Sequence, residues 1–172
     1  IVTLKMKGII NSFKKIEIKR LEQLINKSNQ FNLTTKRYSY KQIEDICKNK
    51  DYITIQLRLS DIYGQNGIIA IVILKLNNDN ITIDTWIQSC RILERKVELF
   101  ILDNIIEIAK KNNCKSLFGE YIKTSKNHIV KEHYKKLGFV KEKNQNPETW
   151  KLDIQDYKKP SIPITKDSFS SF

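Results

Sequence analysis

Residues 80–139 constrain the fold most, because their apolar positions change spacing in a fixed order. Alternation first predicts a strand, with one face formed by Ile81, Ile83, Thr85 and Ile87. Spacing of three and four residues then predicts a long helix, through Val97, Phe100, Ile101, Ile105 and Ile108. A second strand over 115–121 and a second helix over 126–137 follow, and Gly138 is predicted to end that helix.

Two strands and two helices are predicted ahead of this segment. Residues 53–59 alternate strictly, which predicts a half-buried strand whose odd-numbered residues face the core. The nearly unbroken apolar run 68–76 predicts a central strand covered on both faces, joined to the first by a turn at Asn66-Gly67. Helical spacing predicts one helix over 17–27 and another after Ser39, which forms a capping-box pattern with Gln42.

These elements predict an α+β domain with a mixed, mostly antiparallel sheet and helices on both faces. Four strands are expected to be neighbours in chain order, those near Ile53, Ile68, Ile81 and Leu117. A further strand is predicted over 149–154. A chain of 172 residues fits one domain, since it buries roughly 70% of its unfolded surface on folding. This domain is assigned to 1–154. Residues 155–172 are interrupted by prolines and are expected to form an extended or disordered tail.

Composition limits the partners and the compartment. The net charge of +12 comes mostly from scattered lysines, without an arginine-rich run or a recognition-helix signature, so nucleic acid is not expected. The longest apolar run, 68–74, is far shorter than the roughly 20 residues that cross a bilayer, so no membrane is expected. The 3 cysteines are too widely spaced for a disulfide framework or a zinc cluster. We therefore expect a cytoplasmic protein without a bound metal.

A basic turn precedes the long helix and is the candidate phosphate site. A helix N-terminus offers unpaired N–H groups and a partial positive charge, to which basic side chains add. The candidate ligand-binding residues are Arg91, Glu94, Arg95, Lys96 and Val97. Glu94 opposes the attraction because it places a carboxylate at the same turn. A basic helix start without any ligand would show the same pattern.

One tyrosine and two carboxylates are the candidates for proton transfer. Tyr134 can donate a proton at neutral pH, because a phenol has a pKa of about 10. Asp84 in mid-strand and Glu120 near a strand end are the candidate general bases, since burial raises a carboxyl pKa. Either carboxylate suits a structural role as well. His128 and His133 are five residues apart on the predicted helix, so they are expected in surface or capping roles rather than at one metal.

The order of elements and these positions resemble the GNAT superfamily of acyl-CoA N-acyltransferases. Its phosphate-binding turn reads Gln or Arg, two residues, Gly, one residue, then Gly or Ala. Arg91 matches the first position, whereas Glu94 and Lys96 stand where small residues are usual. Asn127 and Tyr134 fit the spacing of the later helix. The resemblance implies a GNAT fold, acetyl-CoA or another acyl-CoA held by the basic turn and Asn127, and protonation of the departing thiolate by Tyr134.

Three motifs resemble a narrower family, the C-terminal domain of FkbH-like proteins. They are 23–35 (QLINKSNQFNLTT), 83–98 (IDTWIQSCRILERKVE) and 119–127 (GEYIKTSKN), and the match covers about 23–154. The resemblance implies a HAD-like domain ahead of this chain and an acyl carrier protein as partner, in the synthesis of polyketide extender units such as methoxymalonyl. A carrier protein is acidic and bears a phosphopantetheine arm, so a basic surface suits either that partner or coenzyme A.

Two functions from different classes are compatible with these features, and a third is not favoured. The first is an acyltransferase-like domain acting on thioester-bound acyl groups, and the second is a non-catalytic docking module for a carrier protein. An open cleft between the strands ending near Ile87 and Tyr121, with Tyr134 facing it, would indicate ligand binding. A sealed strand pair would indicate docking alone. The three motifs disfavour an unrelated basic binding protein.

Overall fold

A computed structural model describes residues 6–61, 64–89 and 96–168. The strands are β1 Met6–Asn11, β2 Tyr52–Asp61, β3 Gly64–Asn77, β4 Asn80–Gln88, β5 Ser116–Tyr121, β6 Val140–Lys143, β7 Glu148–Asp153 and β8 Ile164–Ser168. The α-helices are α1 Ile18–Lys27, α2 Tyr40–Lys48, α3 Lys96–Lys111 and α4 His133–Lys136. Short 3-10 turns occur at Lys15–Glu17, His128–Val130 and Ile154–Asp156. No helix within the described ranges is long and apolar enough to cross a membrane.

The strands form one mixed sheet of 8 strands in the order β6-β7-β5-β4-β3-β2-β1-β8. The β4–β5 and β1–β8 pairs are parallel, and the other neighbouring strands run antiparallel. The predicted neighbours, β2 to β5, do lie side by side in chain order. The predicted fold class is therefore confirmed.

Helices cover both faces of the sheet, as predicted. The larger apolar cluster lies between the sheet and α3, with Trp86, Phe100 and Tyr134 among its members. The smaller cluster lies under α1 and α2. The predicted capping box at the start of α2 is present, with the Ser39 and Gln42 side chains each bonded to the backbone of the other residue.

The prediction that β2 is half-buried is wrong, because its polar face is covered too. Thr54 and Gln56 are both buried. The Thr54 hydroxyl accepts a hydrogen bond from the Phe13 backbone N–H at 3.0 Å, and Gln56 Oε1 accepts one from that of Lys14 at 3.1 Å. Polar side chains are tolerated under a helical layer when distant backbone groups satisfy them.

A β-bulge in β4 overturns the predicted alternation of that strand. Ile83 pairs with Leu74 and Thr85 with Ile73, so Asp84 is the extra residue. Beyond the bulge the faces exchange. Ile83 packs in the cluster beside α3, whereas Ile87 packs in the cluster under α1 and α2. The two side chains therefore lie on opposite faces of the sheet, and not on one face as predicted.

The predicted helix over 126–137 is broken in two. The His128–Val130 turn precedes α4, and Glu132 between them has a non-helical backbone conformation. The end of the helix is as predicted, since Gly138 adopts a φ of +92°. The break lets two successive residues, His133 and Tyr134, both point into the protein.

Part of the segment assigned to the tail joins the sheet. β8 pairs in parallel with β1, and Ile164 is buried in the larger cluster. The Tyr157 hydroxyl donates to Asp103 on α3 at 2.9 Å. The sequence pattern did not predict β1, β6 or β8.

Candidate functional site

Strands β4 and β5 form a fork at the centre of the sheet. Their parallel register runs from Asn80–Ser116 to Ile83–Gly119. The bulge at Asp84 follows at once, and β4 continues to Gln88 while β5 ends at Tyr121. The strands therefore splay apart at the position predicted for a ligand cleft.

Residues 31–34, here called the fork segment, lie between the splayed strands. The Leu33 N–H donates to the Trp86 carbonyl at 3.2 Å, and the Gln88 N–H donates to the Phe31 carbonyl at 3.1 Å. On the other side the Ile122 N–H donates to the Leu33 carbonyl at 2.9 Å. The fork is thus neither an open cleft nor a directly sealed strand pair, because the chain's own backbone bridges it.

Asn127 connects the fork segment to the end of β5. Its fully buried amide donates to the Asn32 carbonyl at 3.1 Å and to the Ile122 carbonyl at 2.9 Å. Its Oδ1 accepts from the Thr124 N–H at 2.8 Å and from the Tyr121 hydroxyl at 3.4 Å. Both amide hydrogens are used within the protein, so this side chain holds the site together. Its contact with a cofactor stays a prediction.

Tyr134 stands at the apex of the fork. A Cβ atom added to Gly119 would lie 2.4 Å from Tyr134 Cζ, the carbon that carries the hydroxyl. Only glycine leaves room for the ring at this position, which is the last residue of β5 that pairs with β4. The side chain is 1% exposed, and its hydroxyl has no hydrogen-bond partner among the described residues. Burial, and then the charge of Glu120, raises the pKa of Tyr134 well above its ordinary value, so the phenol is neutral at physiological pH.

An aromatic cluster surrounds His133 beside this apex. The imidazole centroid lies 4.3 Å from the Trp86 ring, 5.0 Å from the Tyr134 ring and 5.4 Å from the Phe31 ring. The predicted surface or capping role is therefore wrong for His133, which is buried, whereas His128 is exposed. The only feature of the sequence that could have indicated His133 as a residue of the site is its position next to Tyr134.

The two candidate bases have different surroundings. Asp84 is 8% exposed, and its carboxylate accepts hydrogen bonds from Lys36 Nζ at 2.9 Å, the Tyr38 hydroxyl at 2.7 Å and the Thr85 hydroxyl at 2.9 Å. Lys36 and Tyr38 anchor the chain after the fork segment to the bulge, whereas Thr85 is the neighbour of Asp84 in β4. Glu120 is half-buried on β5, near enough to Tyr134 to affect its pKa. Gly119 faces the Tyr134 ring, so the side chain of Glu120, the next residue along the strand, leaves β5 on the opposite face.

A polar cavity of about 750 Å³ opens beside the fork segment. Its volume is in the range of small-molecule sites, and it carries two lysine ammonium groups. It is lined by Lys27, Ser28, Asn29, Gln30, Phe31, Gln88, Ser125 and Lys126. All three motifs from the sequence contribute to this lining. A smaller, mainly apolar cavity of about 260 Å³ adjoins it and shares Lys27, Ser28 and Gln88.

The predicted phosphate turn falls mostly outside the described residues. Arg91, Glu94 and Arg95 are among those not described. Lys96 is the exposed first residue of α3, and Val97 is fully buried in the larger apolar cluster. The side chain of Val97 is therefore part of the core rather than the surface of a ligand site.

A central fork between parallel strands, in a mixed sheet with helices on both faces, defines the GNAT-type acyl-CoA N-acyltransferase fold. The ribosomal-protein-S18-alanine N-acetyltransferase of Escherichia coli is similar, with 18% identity and a TM-score of 0.61 over 86% of this chain and 94% of that chain. The PaiA N-acetyltransferase of Thermoplasma acidophilum, solved with coenzyme A, matches with 12% identity and a TM-score of 0.65 over 86% and 99%.

The spermidine N-acetyltransferase of Vibrio cholerae, solved with CoA and spermine, matches with 11% identity and a TM-score of 0.63 over 87% of this chain and 96% of that chain. No family model and no curated protein matches the sequence. At these identities the structural likeness shows the fold alone.

Proposed function

We propose that this chain is an acyltransferase domain that acts on acyl groups held as thioesters on a phosphopantetheine arm. The main support is the convergence of three separate sequence motifs around one polar cavity, next to the fork where Tyr134 lies. The motifs lie in separate elements, in α1, in β4 and in the loop after β5. Packing of the core alone would not require these elements to line the same cavity.

The cavity supplies the binding chemistry that such a ligand needs. Lys27 and Lys126 line it and would bind the phosphate of the arm. The basic turn ahead of α3 would add to this attraction. In the transfer step the bond between the acyl carbon and sulfur breaks, and a bond between that carbon and the acceptor forms. The departing thiolate takes the proton of the Tyr134 hydroxyl, which makes no hydrogen bond to any described residue. The base takes a proton from the attacking acceptor, and that proton returns to the Tyr134 oxygen, so the tyrosine is neutral again after the transfer.

Glu120 is the base in this proposal, and Asp84 is structural. Both oxygens of the Asp84 carboxylate already accept hydrogen bonds within the protein, from Lys36, Tyr38 and Thr85, so this side chain is tied to the bulge. Glu120 lies on β5 beyond the last residue that pairs with β4. It therefore lies where β4 no longer pairs with β5, one residue beyond the glycine that Tyr134 contacts.

The resemblance to FkbH-like proteins supports an acyl carrier protein as the natural carrier. In that case the domain works beside a HAD-like domain in the cytoplasm, on polyketide extender units of the methoxymalonyl type. The positive charge of the chain suits an acidic partner. Acetyl-CoA or another acyl-CoA carries the same arm and would be the simplest substitute.

The fork segment favours a second candidate, a docking module without catalysis. Its hydrogen bonds use the edge of β4 at Trp86 and Gln88, where an extended ligand would otherwise bind between the strands. A carrier protein would then bind to the basic surface while its arm stays outside the fork.

Binding and thiol release distinguish the two candidates. Calorimetry would measure binding of 4′-phosphopantetheine and acetyl-CoA, and a thiol reagent would measure release from an acyl-phosphopantetheine with an amine acceptor. We expect binding, and thiol release that falls by about 10²- to 10⁴-fold in Tyr134→Phe without a change in affinity. Tyr157→Phe is the matched control, because that hydroxyl bonds to Asp103 on α3.

Three results separate the alternatives. Binding with thiol release that does not depend on Tyr134 removes this tyrosine from the mechanism. Binding of an acyl carrier protein without thiol release selects the docking module. No binding of 4′-phosphopantetheine or acetyl-CoA rejects the acyltransferase, and no binding of an acyl carrier protein either rejects the docking module as well.

A further inference from the structure

Two neighbouring polar groups beside the fork have no hydrogen-bond partner in the described part of the chain. His133 Nε2 and the Tyr134 hydroxyl are buried and make no hydrogen bond to any described residue. A buried polar atom without a partner costs free energy, so most such atoms are paired in native structures. Two on successive residues, with rings 5.0 Å apart, mark a place where a polar ligand group would be stabilised.

Phe31 separates these groups from the polar cavity. It lines the cavity, and its ring lies edge-on against the His133 ring at 5.4 Å. Phe31 is only partly buried. The contacts thus run from the cavity to Phe31, from Phe31 to His133, and from His133 to Tyr134. Movement of one aromatic side chain would join the cavity to the buried pair.

We propose that His133 is a ligand-contacting residue of this site, and that the Phe31 ring is a movable wall between it and the cavity. The inference rests on the proposed function, and it assigns the polar amide and thioester end of a phosphopantetheine arm to the place beside His133 and Tyr134 that movement of the Phe31 ring opens. The imidazole hydrogen-bonds to a carbonyl or amide group of the arm, while Tyr134 faces the sulfur.

The state of the imidazole fits this role. Burial, and then the charge of Lys136, lowers the pKa of His133 to about 3. The ring is therefore neutral at physiological pH and has one nitrogen that donates and one that accepts. A neutral ring can bind an uncharged amide or thioester without the cost of burying a charge.

Chemical modification of His133 tests the wall. The chain has 2 histidines, so in a His128→Gln background diethyl pyrocarbonate reports on His133 alone, by mass spectrometry of its peptide. We expect slow modification with Phe31 present and modification about tenfold faster or more in Phe31→Ala, with Phe31→Leu in between. Leu24→Ala, which enlarges the adjoining apolar cavity, is the control and should leave His133 slow. Rapid modification with Phe31 present, or slow modification in Phe31→Ala, would contradict the role of Phe31 as a movable wall.

The ligand contact is tested with 4′-phosphopantetheine. It should protect His133 in Phe31→Ala, and His133→Phe should weaken its binding by about tenfold in calorimetry. His133→Phe keeps an aromatic ring in the cluster, so its thermal unfolding should show no loss of stability. Unchanged affinity, or no protection, rejects the contact of His133. If 4′-phosphopantetheine does not bind to the unaltered chain, the proposed function is rejected, and the proposed contact of His133 with the ligand is rejected with it.

Discussion

At the scale of single residues, the site depends on a close fit between a glycine and a tyrosine. Gly119 is the last residue of β5 that pairs with β4, and the Tyr134 ring lies directly over it. A side chain at position 119 would displace the ring from the apex of the fork. The proposed proton donor is thus placed by the absence of a side chain at position 119, and not by a hydrogen bond to a described residue.

Gly119→Ala should destabilise the protein. The added Cβ would lie 2.4 Å from Tyr134 Cζ, so we expect a loss of about 1–3 kcal/mol in the free energy of unfolding, measured with urea. Gly67→Ala is the control, because no atom of the described residues other than its chain neighbours lies within 4 Å of its Cβ position, and it should change stability by less than about 0.5 kcal/mol. The cost of Gly119→Ala should shrink in a Tyr134→Ala background. An equal cost in both backgrounds would contradict the close contact.

His133 should make stability depend on pH. Its pKa is about 3 in the folded protein against 6.5 for the free group, so the unfolded chain binds more protons between these values. Stability should therefore fall as the pH falls from 6.5 towards 3. Between pH 7 and pH 5 the free energy of unfolding of the unaltered protein should fall by about 2 kcal/mol more than that of His133→Phe. His128→Phe, at an exposed position, should keep the full dependence. Parallel pH profiles for the protein and His133→Phe would contradict a neutral buried imidazole.

At the scale of elements, β4 sets the geometry of the site. The bulge at Asp84 ends the pairing with β5 and turns Trp86 towards His133. The same bulge is held by Lys36 and Tyr38, which follow the fork segment. One irregular residue thus both opens the fork and anchors the chain that enters it.

The turn ahead of α3 is where the sequence predicts that a phosphate binds. Glu94 stands where the GNAT pattern has glycine, and its charge opposes that of the helix N-terminus. We expect acetyl-CoA to bind with micromolar to millimolar affinity, and Glu94→Gly to tighten binding by about fivefold. Glu94→Gln removes the charge but keeps the side chain, so it separates the two effects. Nanomolar binding by the unaltered chain in calorimetry would refute this account.

At the scale of the whole molecule, the charge should govern the encounter with a partner. The net charge is +12, and four lysines around α4 are exposed, at 126, 131, 135 and 136. Such charges attract an acidic surface over distances set by the ionic strength. The surface lies next to the polar cavity, because Lys126 belongs to both.

Binding of an acyl carrier protein should therefore weaken with salt. The Debye length shortens from about 10 Å at 0.1 M to about 3 Å at 1 M salt, so a titration at both concentrations should show a clear loss of affinity. Lys131→Glu with Lys135→Glu should weaken binding further at low salt. Lys110→Glu with Lys111→Glu makes the same charge change in the last turn of α3 and should have less effect. Equal affinity at the two salt concentrations, or none at either, would remove the docking surface.

The sequence by itself determined most of the regular elements and one residue of the apex. The Ser39–Gln42 capping box, the strands β2 to β5 and the stop at Gly138 were predicted, because each depends on contacts or conformations local in the chain. Tyr134 was singled out by its spacing in a resembled family. The three motifs were found separately, but nothing local showed that they share one cavity.

Only the tertiary structure decided what fills the fork and which residues surround Tyr134. The hydrogen bond from Leu33 to Trp86 joins residues more than 50 positions apart, and β8 pairs with a strand at the other end of the chain. The burial of Gln56 and His133 was missed because alternation and helical spacing describe one element at a time. Whether a polar side chain is buried depends on the layer that packs over it and on the distant groups that can satisfy it.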